Sequence, residues 1–136
     1  MKVTVFRKSH FNAAHQLTNK DWSDSKNEMI FGKCSNPYFH GHNYEYIVGV
    51  TGEIDPETGF VISLDVLKLI LEKEIEDYLD HKNLNIQVPE FKTLIPTAEN
   101  IAVVIWNRIK AKIDPKFELK VTLYETPRNF VEYNGN

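Results

Sequence analysis

Cysteine and long apolar segments are both scarce in this sequence of 136 residues. The one cysteine, Cys34, cannot form a disulfide within the chain, so we expect a fold that is stable without one, as in a reducing compartment. The longest apolar run, Ile101 to Trp106, is too short to cross a membrane. Arg7 and Lys8 interrupt the first residues before the apolar part of a signal peptide could form. These absences predict a cytoplasmic protein without membrane contacts.

An excess of positive charge is missing as well. The 16 Lys and Arg residues are outnumbered by 19 Asp and Glu residues, and the net charge of −3 argues against non-specific nucleic-acid binding, which needs cations for the phosphates. With 42% hydrophobic and 26% charged residues, the chain has the composition of a globular protein. Because no repeat or low-complexity segment divides it, we expect a single domain over residues 1–136.

Alternation of apolar and polar residues predicts the strands. The first strand ends near His15, and the second begins near His42 and ends at Gly52. A C-terminal hairpin turns at residues 126–129, and the polar stretch 18–27 is predicted to be a surface loop. The positions that recur with period two are Val3, Val5, Phe11 and Ala13, then Tyr44, Tyr46, Val48 and Val50, then Leu119, Val121 and Leu123.

Two amphipathic helices are predicted between these pairs of strands. Ser63 and Thr97 are placed to cap them, and Asp114-Pro115 ends the second. Their apolar faces consist of Leu64, Leu67, Leu71, Ile75 and Tyr78, and of Ile101, Ile105, Ile109 and Ile113. The order strand, strand, helix, helix, strand, strand predicts an α+β fold: a four-stranded antiparallel sheet with two helices on one face. Such a sheet leaves uncovered edges, for which oligomerisation is one solution.

Three histidines form a candidate metal site. His40 and His42 are two residues apart, so on an extended chain they point to the same side. His15 ends the other long strand and is the best third ligand. Zinc in catalytic sites commonly has three protein ligands and one open position. A His-x-His pair alone is more often structural, but three histidines at strand ends that can converge favour a metal.

Cys34 and the Asp80-His81 pair each allow two interpretations from the residues alone, and the role of Glu125 stays undecided. Cys34 is either a small buried hydrophobe or a reactive thiolate, since Lys33 and the candidate metal site both favour the thiolate form. Asp80-His81 either ends a helix or forms a proton relay, and adjacent residues could share one partner only through an irregular turn. Glu125 could be an ordinary charge at a strand end.

Six blocks of sequence in a fixed order resemble the 6-pyruvoyltetrahydropterin synthase family, which has the tunnelling fold and includes the 6-carboxytetrahydropterin synthases of the queuosine pathway. The resemblance covers nearly the whole chain. The blocks are Phe11-Asn12-Ala13-Ala14-His15, Phe31-Gly32-Lys33-Cys34 with His40-Gly41-His42-Asn43, Gly52-Glu53-Ile54-Asp55-Pro56 with Thr58-Gly59, Asp80-His81-Lys82-Asn83-Leu84-Asn85, Pro96-Thr97-Ala98-Glu99-Asn100, and Tyr124-Glu125-Thr126.

The resemblance implies a role for each candidate residue. Zinc would be held by His15, His40 and His42, Cys34 would be catalytic, and Asp80 with His81 would form a relay that a neighbouring subunit supplies. Glu125 would anchor the pterin, with Thr97 and Glu99 in the same pocket. The family's assembly implies a homohexamer of two stacked trimers, with the sheets joined into a barrel.

The resemblance also implies a substrate, 7,8-dihydroneopterin triphosphate, converted with loss of triphosphate and internal redox to 6-pyruvoyltetrahydropterin. Lys33 and Lys8 are candidates for the triphosphate contacts. The six-residue spacing from Cys34 to His40 favours this product over 6-carboxytetrahydropterin, the alternative product from the same substrate. Ala98 departs from the hydroxyl residue common in animal enzymes. An alternative of another class is a structural zinc module in which Cys34 is a fourth, closing ligand.

Overall fold

A five-stranded sheet forms one layer of the protein, and the computed structural model describes residues 1–136. The two longest strands, β1 (Lys2–His15) and β2 (His40–Glu53), pair antiparallel along their whole length, from Lys2 opposite Glu53 to His15 opposite His40. Strand β4 (Glu118–Tyr124) lies on the other side of β2, and β5 (Phe130–Tyr133) returns beside β4 as the predicted hairpin. The α+β class and these four strands are confirmed.

The predicted strand count is wrong by one, and the sheet is mixed rather than purely antiparallel. A two-residue strand, β3 (Lys82–Asn83), pairs parallel with Ala13 and Ala14 of β1, which gives the order β3-β1-β2-β4-β5. The N–H of His81 also donates to the Asn12 carbonyl oxygen at 2.6 Å. Two residues are too few to show a period, so this strand exists only through its tertiary contacts.

One face of the sheet is buried against the helices. Phe11 stacks on Tyr44 with ring centroids 4.8 Å apart, and both residues are fully buried. Tyr46, Val48 and Val50 continue this face along β2. The structure therefore has the alternation of buried and exposed residues that the sequence predicts. Because His15, His40 and His42 are in phase with the buried residues, they lie on the same side of the sheet as the helices.

The first predicted helix is built in three parts. Helix α2 (Leu64–Leu71) continues through a π-helical turn (Glu72–Glu76) into α3 (Asp77–Leu79). The Ser63 hydroxyl accepts from the Val66 N–H at 3.4 Å, so the predicted cap is present. Leu67, Leu71 and Ile75 are buried as expected, whereas Leu64, in the first turn of the helix, remains half exposed.

The second predicted helix is α5 (Ala98–Lys110), and the Thr97 hydroxyl accepts from the Asn100 N–H at 3.3 Å at its start. Ile101, Ile105 and Ile109 are buried against the sheet. Short turns of helix, α4 (Leu84–Gln87) and a 3₁₀ segment (Pro89–Lys92), connect β3 to α5. No helix in the structure combines the length and the apolar character that a membrane crossing needs.

The stretch predicted to be a polar loop is partly helical. Helix α1 (Asp24–Phe31) begins inside it, with the Ser23 hydroxyl accepting from the Lys26 N–H at 3.2 Å. Asn27 is buried there, and its side-chain amide binds both the N–H and the carbonyl of Asn19, at 2.7 and 3.0 Å. The helix has no apolar face, so periodicity could not reveal it. Its signals were local ones at the two ends: the cap Ser23, Asp24 in the first turn and Gly32 after the last turn.

Candidate active site

Three histidines meet at one end of the β1–β2 pair. His15 lies directly opposite His40, and His42 is two pairs further along, opposite Ala13. Because these positions alternate with solvent-facing ones, all three imidazoles lie on the helix side of the sheet. Their potential ligand nitrogens are all within 4.8 Å of one another. The structure therefore brings together the three residues that the sequence grouped.

Two polar contacts orient the imidazole ring of His15. Its Nδ1 lies 2.8 Å from the Pro96 carbonyl oxygen and 3.3 Å from the Tyr44 hydroxyl. A carbonyl can only accept, so Nδ1 carries the proton, and the lone pair is on Nε2. A hydrogen bond from the far nitrogen to a carbonyl is the usual way in which a metal-binding histidine is oriented.

The nitrogens that face the cluster have no hydrogen-bond partner, although they are buried. They are His15 Nε2, His42 Nε2 and both ring nitrogens of His40. Burial lowers the pKa of His15 to about 4, opposed by the bond to Pro96, and burial with the charge of His42 also lowers the pKa of His40. Imidazole nitrogens that converge without hydrogen-bond partners are a donor set for a metal ion, so the three residues fit such a group.

Cys34 lies beside the cluster but outside it. The residue is half-buried in a 3₁₀ turn (Gly32–Ser35), and its thiol is free. Its carbonyl oxygen accepts from the Leu17 N–H at 2.8 Å, which ties the turn to the residue two positions beyond His15. The group of potential metal ligands comprises the three histidines without Cys34. This arrangement favours an open metal site over one closed by the thiolate.

Asp80 and His81 form a pair at the turn after α3. His81 Nδ1 lies 2.9 Å from Asp80 Oδ2, and the turn is irregular, since His81 has a φ of 59°. Asp80 Oδ1 accepts from the Asn12 N–H at 2.8 Å. This bond, more than the neighbouring imidazole, lowers the pKa of Asp80. The carboxylate thus stays charged and holds one nitrogen of His81, while the imidazole itself is 80% exposed.

The pair is not part of the histidine cluster of its own chain. His81 lines an open cleft of about 520 Å³ together with Asn12, Asn43 and one member of the cluster, His42. Asn12 and Asn43 alternate with the buried positions of β1 and β2, so they belong to the solvent-facing side of the sheet. The exposed imidazole of His81 therefore opens onto a cleft that also touches the edge of the histidine cluster.

Glu125, Thr97 and Glu99 line one cavity of about 420 Å³. It lies between the N-terminus of α5 and the β4–β5 turn, and Arg128, which the sequence interpretation did not single out, lines it as well. Glu125 Oε2 is 3.9 Å from His15 Nε2, so the cavity adjoins the histidine cluster. The only signal for Arg128 was its place in the predicted hairpin turn, three residues after Glu125.

Comparisons with known proteins give one consistent result. The family model for 6-pyruvoyl tetrahydropterin synthase matches residues 4–136. The chain is 48% identical over 134 residues to 6-pyruvoyl tetrahydrobiopterin synthase of Pongo abelii, covering 98% of this chain and 92% of that protein. For the protein of the same name from Homo sapiens the identity is 47%, with the same coverage.

The fold agrees with a solved structure. The 6-pyruvoyl tetrahydropterin synthase of Caenorhabditis elegans superimposes with a TM-score of 0.95 at 39% sequence identity, covering 100% of this chain and 97% of that one. Sequence and fold thus match over essentially the full length. The chain belongs to the 6-pyruvoyl tetrahydropterin synthase family.

Proposed function

We propose that this protein is a zinc-dependent pterin synthase that converts 7,8-dihydroneopterin triphosphate to 6-pyruvoyltetrahydropterin and triphosphate. The observation that carries the proposal is the convergence of three buried, unpaired histidine nitrogens within 4.8 Å of one another, next to the cavity that contains Glu125. The names of the relatives at 47–48% identity support the same reaction. The single free cysteine suits a cytoplasmic enzyme.

His15, His40 and His42 would hold the zinc ion, which, when bound, acts as a Lewis acid toward substrate oxygens. The hydrogen bond from His15 Nδ1 to Pro96 keeps Nε2 directed at the cluster. The absence of Cys34 from this group supports a site with an open position and opposes the structural alternative, in which four ligands would make the site inert.

Glu125 would bind the pterin ring. A carboxylate accepts two parallel hydrogen bonds, and the 2-amino group and the adjacent ring N–H present such a pair of donors. Thr97 and Glu99 lie in the same cavity at the start of α5. The Thr97 hydroxyl is engaged in capping, so its main effect is to fix the cavity wall. With the ring bound here, its three-carbon side chain extends toward the histidines.

Cys34 would act as the base. Each step of the conversion removes or returns a proton at a carbon that bears oxygen, and a thiolate close to the cluster can accept that proton. His81 would return protons, because Asp80 holds its Nδ1 at 2.9 Å and leaves Nε2 free for transfer. Asp80 itself serves to orient the ring.

We further propose that each active site is shared between chains of a homohexamer, whose sheets join into a barrel. Two features support this assembly. The imidazole of His81 is 80% exposed and is not a member of the histidine cluster of its own chain. The sheet also has open edges, because β3 covers β1 only at Ala13 and Ala14, and β5 lies at the opposite edge. Unpaired strand edges are stabilised by pairing with another chain.

The test is to incubate zinc-loaded protein with 7,8-dihydroneopterin triphosphate and to identify the products by mass spectrometry. We expect free triphosphate and 6-pyruvoyltetrahydropterin, with all three side-chain carbons retained. Chelator-treated protein is the control. A 6-carboxytetrahydropterin product, with loss of a two-carbon fragment, would identify the alternative synthase. A zinc-loaded protein that leaves the substrate unchanged would contradict the proposal as a whole.

A further inference from the structure

Arg128 shares a cavity with Glu125 and is the only basic residue that lines it. The cavity also contains the carboxylate of Glu99, so its wall carries two acidic groups and one guanidinium. Neither acidic group forms an ion pair with Arg128, since the one pair made by Glu125 is with His15. The guanidinium is therefore available to a ligand in this cavity.

Three hydrogen bonds hold the turn that carries Arg128, although its side chain is exposed. The Arg128 N–H donates to the Thr126 hydroxyl at 3.3 Å, and the Asn129 N–H donates to the same oxygen at 3.1 Å. The Glu125 N–H donates to the Asn129 carbonyl at 3.1 Å and closes the turn. These bonds set the backbone position of Arg128 relative to Glu125, so the guanidinium needs only a change of side-chain rotamer to meet a ligand in the cavity.

The two lysines considered from the sequence lie elsewhere. Lys8 pairs with Glu45 at 3.1 Å on the solvent-facing side of the sheet. Lys33 lines a different, polar cavity beside α1 that also contains Asp24 and Glu28. A ligand held by Glu125 would therefore meet Arg128 and neither of these lysines.

The chemistry of a pterin ring indicates which atoms Arg128 would contact. The donor edge, formed by the 2-amino group and the ring N–H, is flanked by acceptors: the 4-oxo oxygen on one side and N1 on the other. A carboxylate on the donor edge leaves these acceptors in need of donors. A planar guanidinium offers several N–H groups in a fixed fork, which suits acceptors in the plane of the ring. The phosphates are attached at the far end of the substrate.

We propose that Arg128 is a specificity residue that donates hydrogen bonds to the acceptor atoms of the pterin ring, beside the edge bound by Glu125. The inference rests on the proposed function, because it requires a pterin in this cavity. Ala98 lines the same cavity without a side-chain donor, so the guanidinium supplies a contact that the start of α5 lacks. Arg128 is accordingly a recognition residue for the ring and not for the triphosphate.

The experiment separates the ring from the phosphates by using two probes. The affinities of zinc-loaded protein for 7,8-dihydroneopterin, which has no phosphate, and for inorganic triphosphate are measured with wild type, Arg128→Ala and Arg128→Lys. We expect Arg128→Ala to weaken dihydroneopterin binding by roughly tenfold and to raise KM for the triphosphate substrate by a similar factor. kcat and the affinity for inorganic triphosphate should remain within about twofold of wild type. Arg128→Lys should recover only part of the loss, because it lacks the planar fork.

Lys116→Ala is the matched control, since it removes a surface cation that lines a different cavity. It should leave both affinities unchanged. An Arg128→Ala variant that is folded by circular dichroism and binds dihydroneopterin as tightly as wild type would overturn the inference. A loss confined to inorganic triphosphate and phosphorylated substrate would also overturn it. If the wild-type protein binds no pterin at all, the proposed function itself fails, and this result is distinct from the other two.

Discussion

The imidazole Nδ1 of His15 lies 2.8 Å from the backbone carbonyl oxygen of Pro96. The next residue along the chain, Thr97, caps α5 and lines the cavity that contains Glu125. One short segment thus orients a ligand of the candidate metal site and shapes the candidate pterin cavity. Because the acceptor is the backbone carbonyl of Pro96, a substitution of the side chain at position 96 does not remove the bond directly. The orientation of His15 therefore depends on the backbone conformation at residues 96 and 97.

The first prediction concerns the metal. His15→Ala, His40→Ala and His42→Ala should each purify with most of their zinc missing, because two remaining imidazoles cannot complete the site. Elemental analysis of the purified proteins gives the zinc content per chain. His10→Ala is the control, since His10 is exposed on β1 and outside the cluster, and it should keep its zinc. Full zinc content in all three ligand variants would refute the assignment.

The second prediction separates Cys34 from the metal. Cys34→Ala should retain zinc and thermal stability but lose turnover by roughly 100-fold or more, which is the size of effect expected for a general base. Zinc content and steady-state rates are measured on the same sample. Ser35→Ala, in the same 3₁₀ turn, controls for local disturbance of the backbone. Parallel loss of zinc and activity in Cys34→Ala would instead support the closed structural site.

The third prediction follows from the backbone of His81, whose φ of 59° lies in the left-handed region. This conformation costs a residue with a side chain about 1–2 kcal/mol, and asparagine tolerates it better than alanine. Both His81→Asn and His81→Ala lose the bond from the imidazole to Asp80, so the comparison between them isolates the backbone conformation. His81→Asn should therefore have a free energy of unfolding up to about 1 kcal/mol higher than that of His81→Ala, while turnover is lost in both. Urea denaturation measures the difference. His10→Asn should have no such advantage over His10→Ala, because His10 is at an exposed position on β1. Equal stabilities of the two His81 variants would show that the turn is not strained.

The fourth prediction is the pH dependence of stability that Asp80 confers. In the folded protein its pKa is lowered from the ordinary value of 3.8, first by the Asn12 N–H and then by His81. The stabilising effect of the carboxylate is therefore complete above pH 3.8. As the pH falls through the lower folded pKa, the effect is lost. Wild type should be more stable than Asp80→Asn near neutral pH, by less than about 1 kcal/mol because the carboxylate is partly exposed. The two unfolding free energies should converge in acid, and a constant difference would contradict the assignment.

Most of the fold could be predicted because long periodic segments carry their own signal. The alternation through Phe11 and Tyr44 identified the buried face, and Ser63 and Thr97 marked the starts of the helices. The elements that could not be predicted depend on specific contacts between residues and not on a periodic pattern. Strand β3 exists because His81 and Lys82 meet β1, and α1 is held by the buried amide of Asn27, neither of which produces a period.

In the candidate site, too, some features could be predicted from the sequence and others could not. The spacing of His40 and His42, with His15 at the end of a facing strand, was sufficient to group the three ligands. Adjacency alone left two interpretations of Asp80-His81 open, and the positive φ of His81 was not predicted. The bond from His15 to Pro96 involves a backbone carbonyl that could belong to any residue. The geometry of the β4–β5 turn places Arg128 in the cavity lining, and residue types alone do not specify that geometry.

The last prediction tests whether active sites are shared between chains. If Cys34 and the histidines of one chain work with Asp80 and His81 of another, Cys34→Ala and His81→Ala proteins are each inactive for a different reason. Mixing them under conditions of subunit exchange should restore part of the activity, because some interfaces then pair an intact Cys34 with an intact His81. For random mixing of equal amounts, about one quarter of the sites would be intact, if both lesions act independently. Exchange is verified by native mass spectrometry of mixed oligomers. The matched control mixes Cys34→Ala with a Cys34→Ala/His81→Ala double variant, in which no interface regains Cys34. Recovery in the first mixture alone establishes sharing, whereas inactivity despite verified exchange means that each chain contains a whole site.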